Sequence, residues 1–125
     1  MLCYYENFLV YAGTHYVAYF HAEDKEVSKV YEYYKECDDV TRAGLLYLVK
    51  RIADFGHIYD VTKFRIEDKE HRIYCFKPKK ERFFCFFLIG KKIIITSGYT
   101  KKKQKLDMHE LQKAIKIQHE YESKG

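Results

Sequence analysis

The chain has no tryptophan, a single proline and only six glycines, and each shortage removes a class of structure. Without Pro-, Gly- or Ser-rich stretches there is nothing to form a linker or low-complexity tail, so one compact domain over residues 1–125 is expected. No apolar run approaches the roughly 20 residues needed to cross a bilayer. The opening "MLCYYENFLVYAG" lacks the basic start and unbroken apolar core of a signal peptide, so a soluble, cytoplasmic protein with no membrane partner is expected. Cys3, Cys37, Cys75 and Cys85 include no CxxC pair, and the six histidines form no HExxH. Those spacings argue against a metal site and against metal catalysis. They point instead to small core thiols in a reducing compartment, and no cofactor is expected.

Acid is also missing, but only locally. Residues 77–105 hold ten lysines and arginines against Glu81 alone, whereas residues 1–40 hold eight acids against three lysines. A field so lopsided within one domain suits a polyanionic partner on one face; a charged solubilising surface is the other reading.

What is abundant is aromatic: 13 tyrosines and 9 phenylalanines. "NFLVYAGTHYVAYF" reads as two strand-like runs around an Ala-Gly-Thr-His turn, either a hairpin or one long bent strand. Val27, Val30, Tyr31 and Tyr34 recur at helical spacing and predict a short helix. A longer one follows, capped by Asp38 or Asp39 and closed by Gly56, with Val40, Ala43, Leu46, Val49, Ile52 and Ala53 as its apolar stripe. "VTKFRIE", "HRIYCFK", "RFFCFFLI" and "KKIIITSGY" read as strands joined at "KPKKE" and at a hairpin turn around Gly90. The run Phe83–Phe87 has the pattern of a fully buried strand. Strict alternation puts Ile93, Ile95, Ser97 and Tyr99 on one strand face. Asp107 can then cap a last helix whose Met108, Leu111, Ala114, Ile115 and Tyr121 share a side. The order predicts an α+β domain, an antiparallel sheet with helices packed on one face.

Over "RFFCFFLIGKKIIITSGYTKKKQKLDMHELQKAIKIQHEY" the sequence resembles the HigB-like branch of the RelE/ParE type II toxin superfamily. The resemblance rests on Arg82 with Phe83, Phe84 and Phe86, on Gly98-Tyr99, on Lys102-Lys103-Gln104-Lys105, and on Glu110 with Ala114. Lys63-Phe64 and Ile73–Lys77 sit where that family has its own strand motifs, and the likeness extends over roughly residues 16–121. Three departures stand out. Lys77 replaces a usual arginine, keeping charge but not the planar fork. Leu106-Asp107 replaces a Thr-Pro before the last helix. Residues 1–15 form an unmatched N-terminal strand segment.

The resemblance implies a sheet of three to five antiparallel strands with two N-terminal helices and one C-terminal helix. It implies a toxin that cuts messenger RNA on the ribosome without metal and is held inactive by a cognate helix-turn-helix antitoxin. The 2′-hydroxyl attacks the neighbouring phosphate, so the site must stabilise a pentacoordinate phosphate. By position, Lys77, Arg82 and Tyr99 are the candidate catalytic residues; Lys63, Arg65, Lys101, Lys102, Lys103 and Lys105 are the candidate RNA contacts. His71 and His109 read as surface histidines. Two alternatives share the fold: a ParE-like gyrase poison, and a catalytically weak RNA-binding regulator.

Overall fold

The computed structural model describes residues 4–124, so the reading of Cys3 as a core thiol lies outside the described residues. A 3-10 turn (Glu6–Phe8) leads into strand β1 (Leu9–Ala12) and then β2 (Val17–Phe20). Helices α1 (Lys29–Glu36) and α2 (Asp39–Phe55) follow, then β3 (Phe64–Asp68), β4 (Ile73–Phe76), β5 (Glu81–Leu88), β6 (Lys92–Thr100) and α3 (Met108–Lys124). Each helix starts where a side chain can satisfy a free amide. Ser28 accepts from Tyr31, Asp38 from Thr41 at 2.8 Å and Asp107 from Glu110 at 3.1 Å. Gly56 ends α2 in the left-handed conformation, φ 87°.

The two strand-like runs form a β1–β2 hairpin, not one long bent strand, and its turn rests on the end of α2. The Ala53 carbonyl accepts the amides of His15 (2.7 Å) and Tyr16 (3.0 Å), and the Asp54 carboxylate accepts the Tyr11 hydroxyl at 2.7 Å. Gly13 permits this approach, because a Cβ there would lie 2.5 Å from the Ala53 backbone.

The sheet has six strands in the order β1-β2-β6-β5-β4-β3, more than the three to five expected. It is mixed, since β2 runs parallel to β6 while the other pairs are antiparallel. Without β2, one edge of β6 would present unpaired amides and carbonyls. No hairpin joins these two strands, so no short turn fixes their relative direction.

The helices occupy both faces, correcting the one-faced arrangement. Phe83, Cys85, Ile93 and Ile95 pack with Val30 of α1 and with Leu45, Leu48, Val49 and Ile52 of α2. Phe84, Phe86 and Ile94 pack with Leu111, Ala114, Ile115 and Tyr121 of α3. A strand apolar on both sides must be covered on both sides, and Phe83–Phe86 are all buried. The α2 stripe is also corrected: Thr41, Leu45, Leu48, Val49, Ile52 and Ala53 are buried, while Val40 is exposed, as is Met108 of α3. Apolar residues extend round too much of α2 for periodicity alone to fix which line faces the sheet.

Candidate functional site

A β-bulge in β6 sets the face of one site residue, and a second bulge lies in β3. In β6, Ser97 pairs with Phe84 and Ile95 with Cys85, which leaves Thr96 as an extra residue. The bulge shifts the alternation by one step. Gly98 therefore turns toward α1, beneath the Tyr33 ring. Tyr99 turns toward α3, where its ring lies on Phe84 with centroids 5.7 Å apart. Strict alternation would group Tyr99 with Ile93 and Ile95; the bulge reverses it. In β3, Ile66 pairs with Tyr74 and Asp68 with Ile73, so Glu67 is the bulged residue. Its carboxylate is aimed along the α3 face at Lys77.

Three candidate catalytic residues thus line up across adjacent strands. Phe76 pairs with Phe83, so one step on Lys77 stands opposite Arg82, and Arg82 pairs with Tyr99. Neighbouring strands lie about 4.8 Å apart, which places the three side chains in one short row. Lys77 Nζ is 3.1 Å from Glu67 Oε2, with 11% and 8% of the two side chains exposed. Arg65 reaches the other Glu67 oxygen at 3.2 Å from the strand edge. Arg82 Nη1 donates to the carbonyls of Lys79 (2.7 Å) and Glu81 (2.9 Å). Burial pushes the Tyr99 phenol above its ordinary pKa, and the nearby Asp107 backbone partly opposes this. Tyr99 therefore holds its proton at neutral pH and can donate it. Cys75, beneath the row, is pushed up to about 12 chiefly by burial and next by the Glu67 carboxylate, so it is no nucleophile.

Beside the row lies the lysine cluster. Lys101 donates its amide to the Lys80 carbonyl at 2.8 Å, which joins the β4–β5 turn to the segment after β6. The result is a hollow of about 560 Å³ lined by Lys79, Lys80, Arg82, Lys101, Lys102, Lys103 and Gln104. A second hollow of about 380 Å³ on the other side of Lys101–Lys103 includes Tyr99, Lys105 and the Asp107 cap. Among the described residues, the first has six cations and no carboxylate on its wall, a strongly positive surface.

The fold brings Lys77, Arg82, Tyr99 and Lys101–Lys103 together, and Lys105 joins them through the second hollow. Arg65 sits at the outer edge, bound to Glu67. Lys63 departs from the group: it precedes β3 in a turn and lines hollows against Tyr47 and Leu48 of α2. Sequence reasoning missed Glu67, Lys79 and Lys80. The two lysines were legible as bases in the acid-poor stretch; alternation from Arg65 puts Glu67 on the α3 face, but its partner Lys77 lies on the neighbouring strand, which the residues of β3 do not report. His71 binds Asp68 at 3.1 Å, with its carbonyl held by Gln118, a role in tying α3 to the β3–β4 turn.

Among the described residues, no group of three or more His, Cys, Asp or Glu is placed to hold a metal ion, and no helix is long and apolar enough to cross a membrane. No curated protein matches the chain. A family profile does, over residues 32–119, from α1 nearly to the end of α3; its description is "Phage derived protein Gp49-like (DUF891)". That family falls in the RelE/HigB-type toxin group. The match covers well over half of the sequence and contains the bulged strands, the Lys77–Arg82–Tyr99 row and the lysine cluster, and the chain belongs to the phage-derived Gp49-like family.

Proposed function

We propose that this protein is the toxin of a type II toxin–antitoxin pair and that it cleaves messenger RNA on the ribosome by metal-independent transesterification. The observation that carries the reading is the Glu67–Lys77–Arg82–Tyr99 row on the α3 face, opening beside a hollow walled by six cations. The groups suit the reaction step by step. Glu67 accepts the proton of the 2′-hydroxyl as that oxygen attacks the adjacent phosphorus. Lys77 and Arg82 stabilise the charge on the pentacoordinate phosphate. Tyr99 protonates the 5′-oxygen as its bond to phosphorus breaks, leaving a 2′,3′-cyclic phosphate and a free 5′-hydroxyl. Lys101, Lys102, Lys103 and Lys105 hold the backbone on either side, with Arg65 at the rim.

The test is a reconstituted translation reaction with mapping of 5′ ends. Codon-phased cuts with cyclic-phosphate termini are expected; intact message with normal translation would sink the reading. One observation favours a second reading, an RNA-binding regulator with weak catalysis: Lys77 is already neutralised by Glu67 and mostly covered. In that case RNA binding persists while expression of the protein alone leaves growth unaffected. The cationic hollow weighs against a gyrase poison, and a supercoiling assay separates it.

A further inference from the structure

Nine large hydrophobic residues are exposed among the described positions, and five of them (Val40, Tyr47, Phe55, Tyr59 and Val61) lie on α2 or the segment just after it. On α2, Val40 and Tyr47 lie seven residues apart on one face beside the buried stripe, and Phe55 stands at the end of the helix. Two hollows flank these residues. One, about 310 Å³, lies between Val40, Gly44, Tyr47 and Pro78; the other, about 420 Å³, lies between Tyr47, Phe55, Ile58 and Tyr59. Their α2 walls are centred roughly 8 Å apart along the helix, at 1.5 Å per residue. An occupant would present apolar side chains one to two helical turns apart.

The rim of this surface is cationic. Arg51, stacked over Phe55 at 5.0 Å, and Lys63 and Lys79 border the two hollows and are exposed. Among the described residues, the only carboxylate on either wall is that of Asp60, engaged by the amide (2.9 Å) and hydroxyl (2.6 Å) of Thr62. The geometry points to α2 as a docking surface for an amphipathic helical segment of a partner protein, with aliphatic side chains on one face and Asp or Glu flanking them. Charge decides the occupant. A two-fold pairing of this chain through α2 would bring Arg51, Lys63 and Lys79 against their own copies, which like-charge repulsion disfavours. An acidic helix meets the same cations favourably, and helix-in-groove docking uses this spacing of apolar anchors. The surface lies on the sheet face opposite α3, and the inference goes beyond the RNA-cleavage reading without using it.

The test is selection of a random helical peptide display library on the immobilised full chain, followed by fluorescence anisotropy with the enriched peptides. Enrichment of peptides with aliphatic anchors flanked by Asp and Glu is expected. Their affinity should fall about tenfold in Tyr47→Ser and again in Arg51→Glu. It should be unchanged in Lys102→Gln, a change in the lysine hollow. These substitutions are at exposed positions, and circular dichroism checks that each variant is folded. Failure to enrich any peptide, enrichment of peptides without acids, or binding sensitive to Lys102→Gln but not to Tyr47→Ser would overturn the inference. So would concentration-dependent self-association abolished by Tyr47→Ser, which would assign the face to a second copy.

Discussion

Lys77 Nζ and Glu67 Oε2 stand 3.1 Å apart on neighbouring strands, both side chains largely removed from water. A covered ion pair is weak evidence for stability, because desolvation offsets most of the attraction. In the proposed mechanism, its position beside Arg82 and Tyr99 supplies an acceptor and a cation together. Glu67→Gln should lower the cleavage rate about 100-fold. RNA affinity should hold or rise, since Lys77 is released. Glu67→Asp should recover part of the rate with a displaced pH profile. Unchanged single-turnover kinetics in Glu67→Gln would remove Glu67 from the mechanism.

In the proposed mechanism docking and chemistry fall to different residues. Arg82→Ala should abolish cutting while leaving binding of single-stranded RNA within a few-fold. Changing Lys101, Lys102 and Lys103 to Gln should weaken binding and make its salt dependence shallower, by about 0.7 in slope for each RNA phosphate left without a cation. Filter-binding titrations over a range of salt, set beside cleavage rates, read both. The reverse pattern would mean that the two roles are exchanged.

Gly98 is held to zero side chain by its neighbours. A Cβ there would lie 2.7 Å from the Tyr33 ring and 3.0 Å from the Phe83 ring. Tyr33 has little room to move, since its hydroxyl is bonded to Glu81 and lies 3.0 Å from the Thr100 hydroxyl. Gly98→Ala should therefore destabilise the fold by about 1–3 kcal/mol, a fall in Tm of several degrees. Gly98→Ala combined with Tyr33→Leu should recover part of the loss. Equal melting temperatures for Gly98→Ala and the parent would show that α1 yields freely.

His21 is buried, its Nδ1 2.9 Å from the Tyr121 hydroxyl and its Nε2 3.6 Å from Glu23. Burial lowers its pKa below the ordinary imidazole value, against the opposing pull of Glu23 and Glu120. The unfolded chain thus takes up a proton near pH 6.5 that the folded chain accepts only at lower pH. Stability is full above about pH 6.5 and is lost as pH falls toward the folded value. Urea midpoints should drop between about pH 7 and pH 5, and the slope should flatten in His21→Gln. Midpoints independent of pH across that range would contradict this. Asp38 and Asp60, both held low by Thr41 and Thr62, lose their contribution only at more acid pH.

Much of this protein could be read from its residues in order. A cap at Asp38 or Asp39, the cap at Asp107, the stop at Gly56 and the four β-rich runs are local features, encoded within a few residues of where they act; that Asp38 caps and that β1 and β2 pair as a hairpin came from the structure. The charge imbalance also marked the segment that became the cationic hollow. Which line of α2 faces the core was not legible, because its apolar residues outnumber the positions that the sheet can cover. The parallel β2–β6 pair joins strands far apart in sequence, so no local pattern reports it.

The sequence by itself determined that Lys77, Arg82, Tyr99 and the lysines exist in a basic, β-rich stretch. Only the tertiary structure decided that Tyr99 shares a face with Arg82, that Glu67 meets Lys77, and that Lys63 turns away toward α2. For Tyr99 the physical reason is the one-residue bulge at Thr96, while Glu67 and Lys63 depend on which strand and helix lie beside β3. Side chains alternate along a strand, so a single extra residue reverses the face of every position beyond it. Whether a strand takes that residue depends on its partner's register, which the strand's own sequence does not contain.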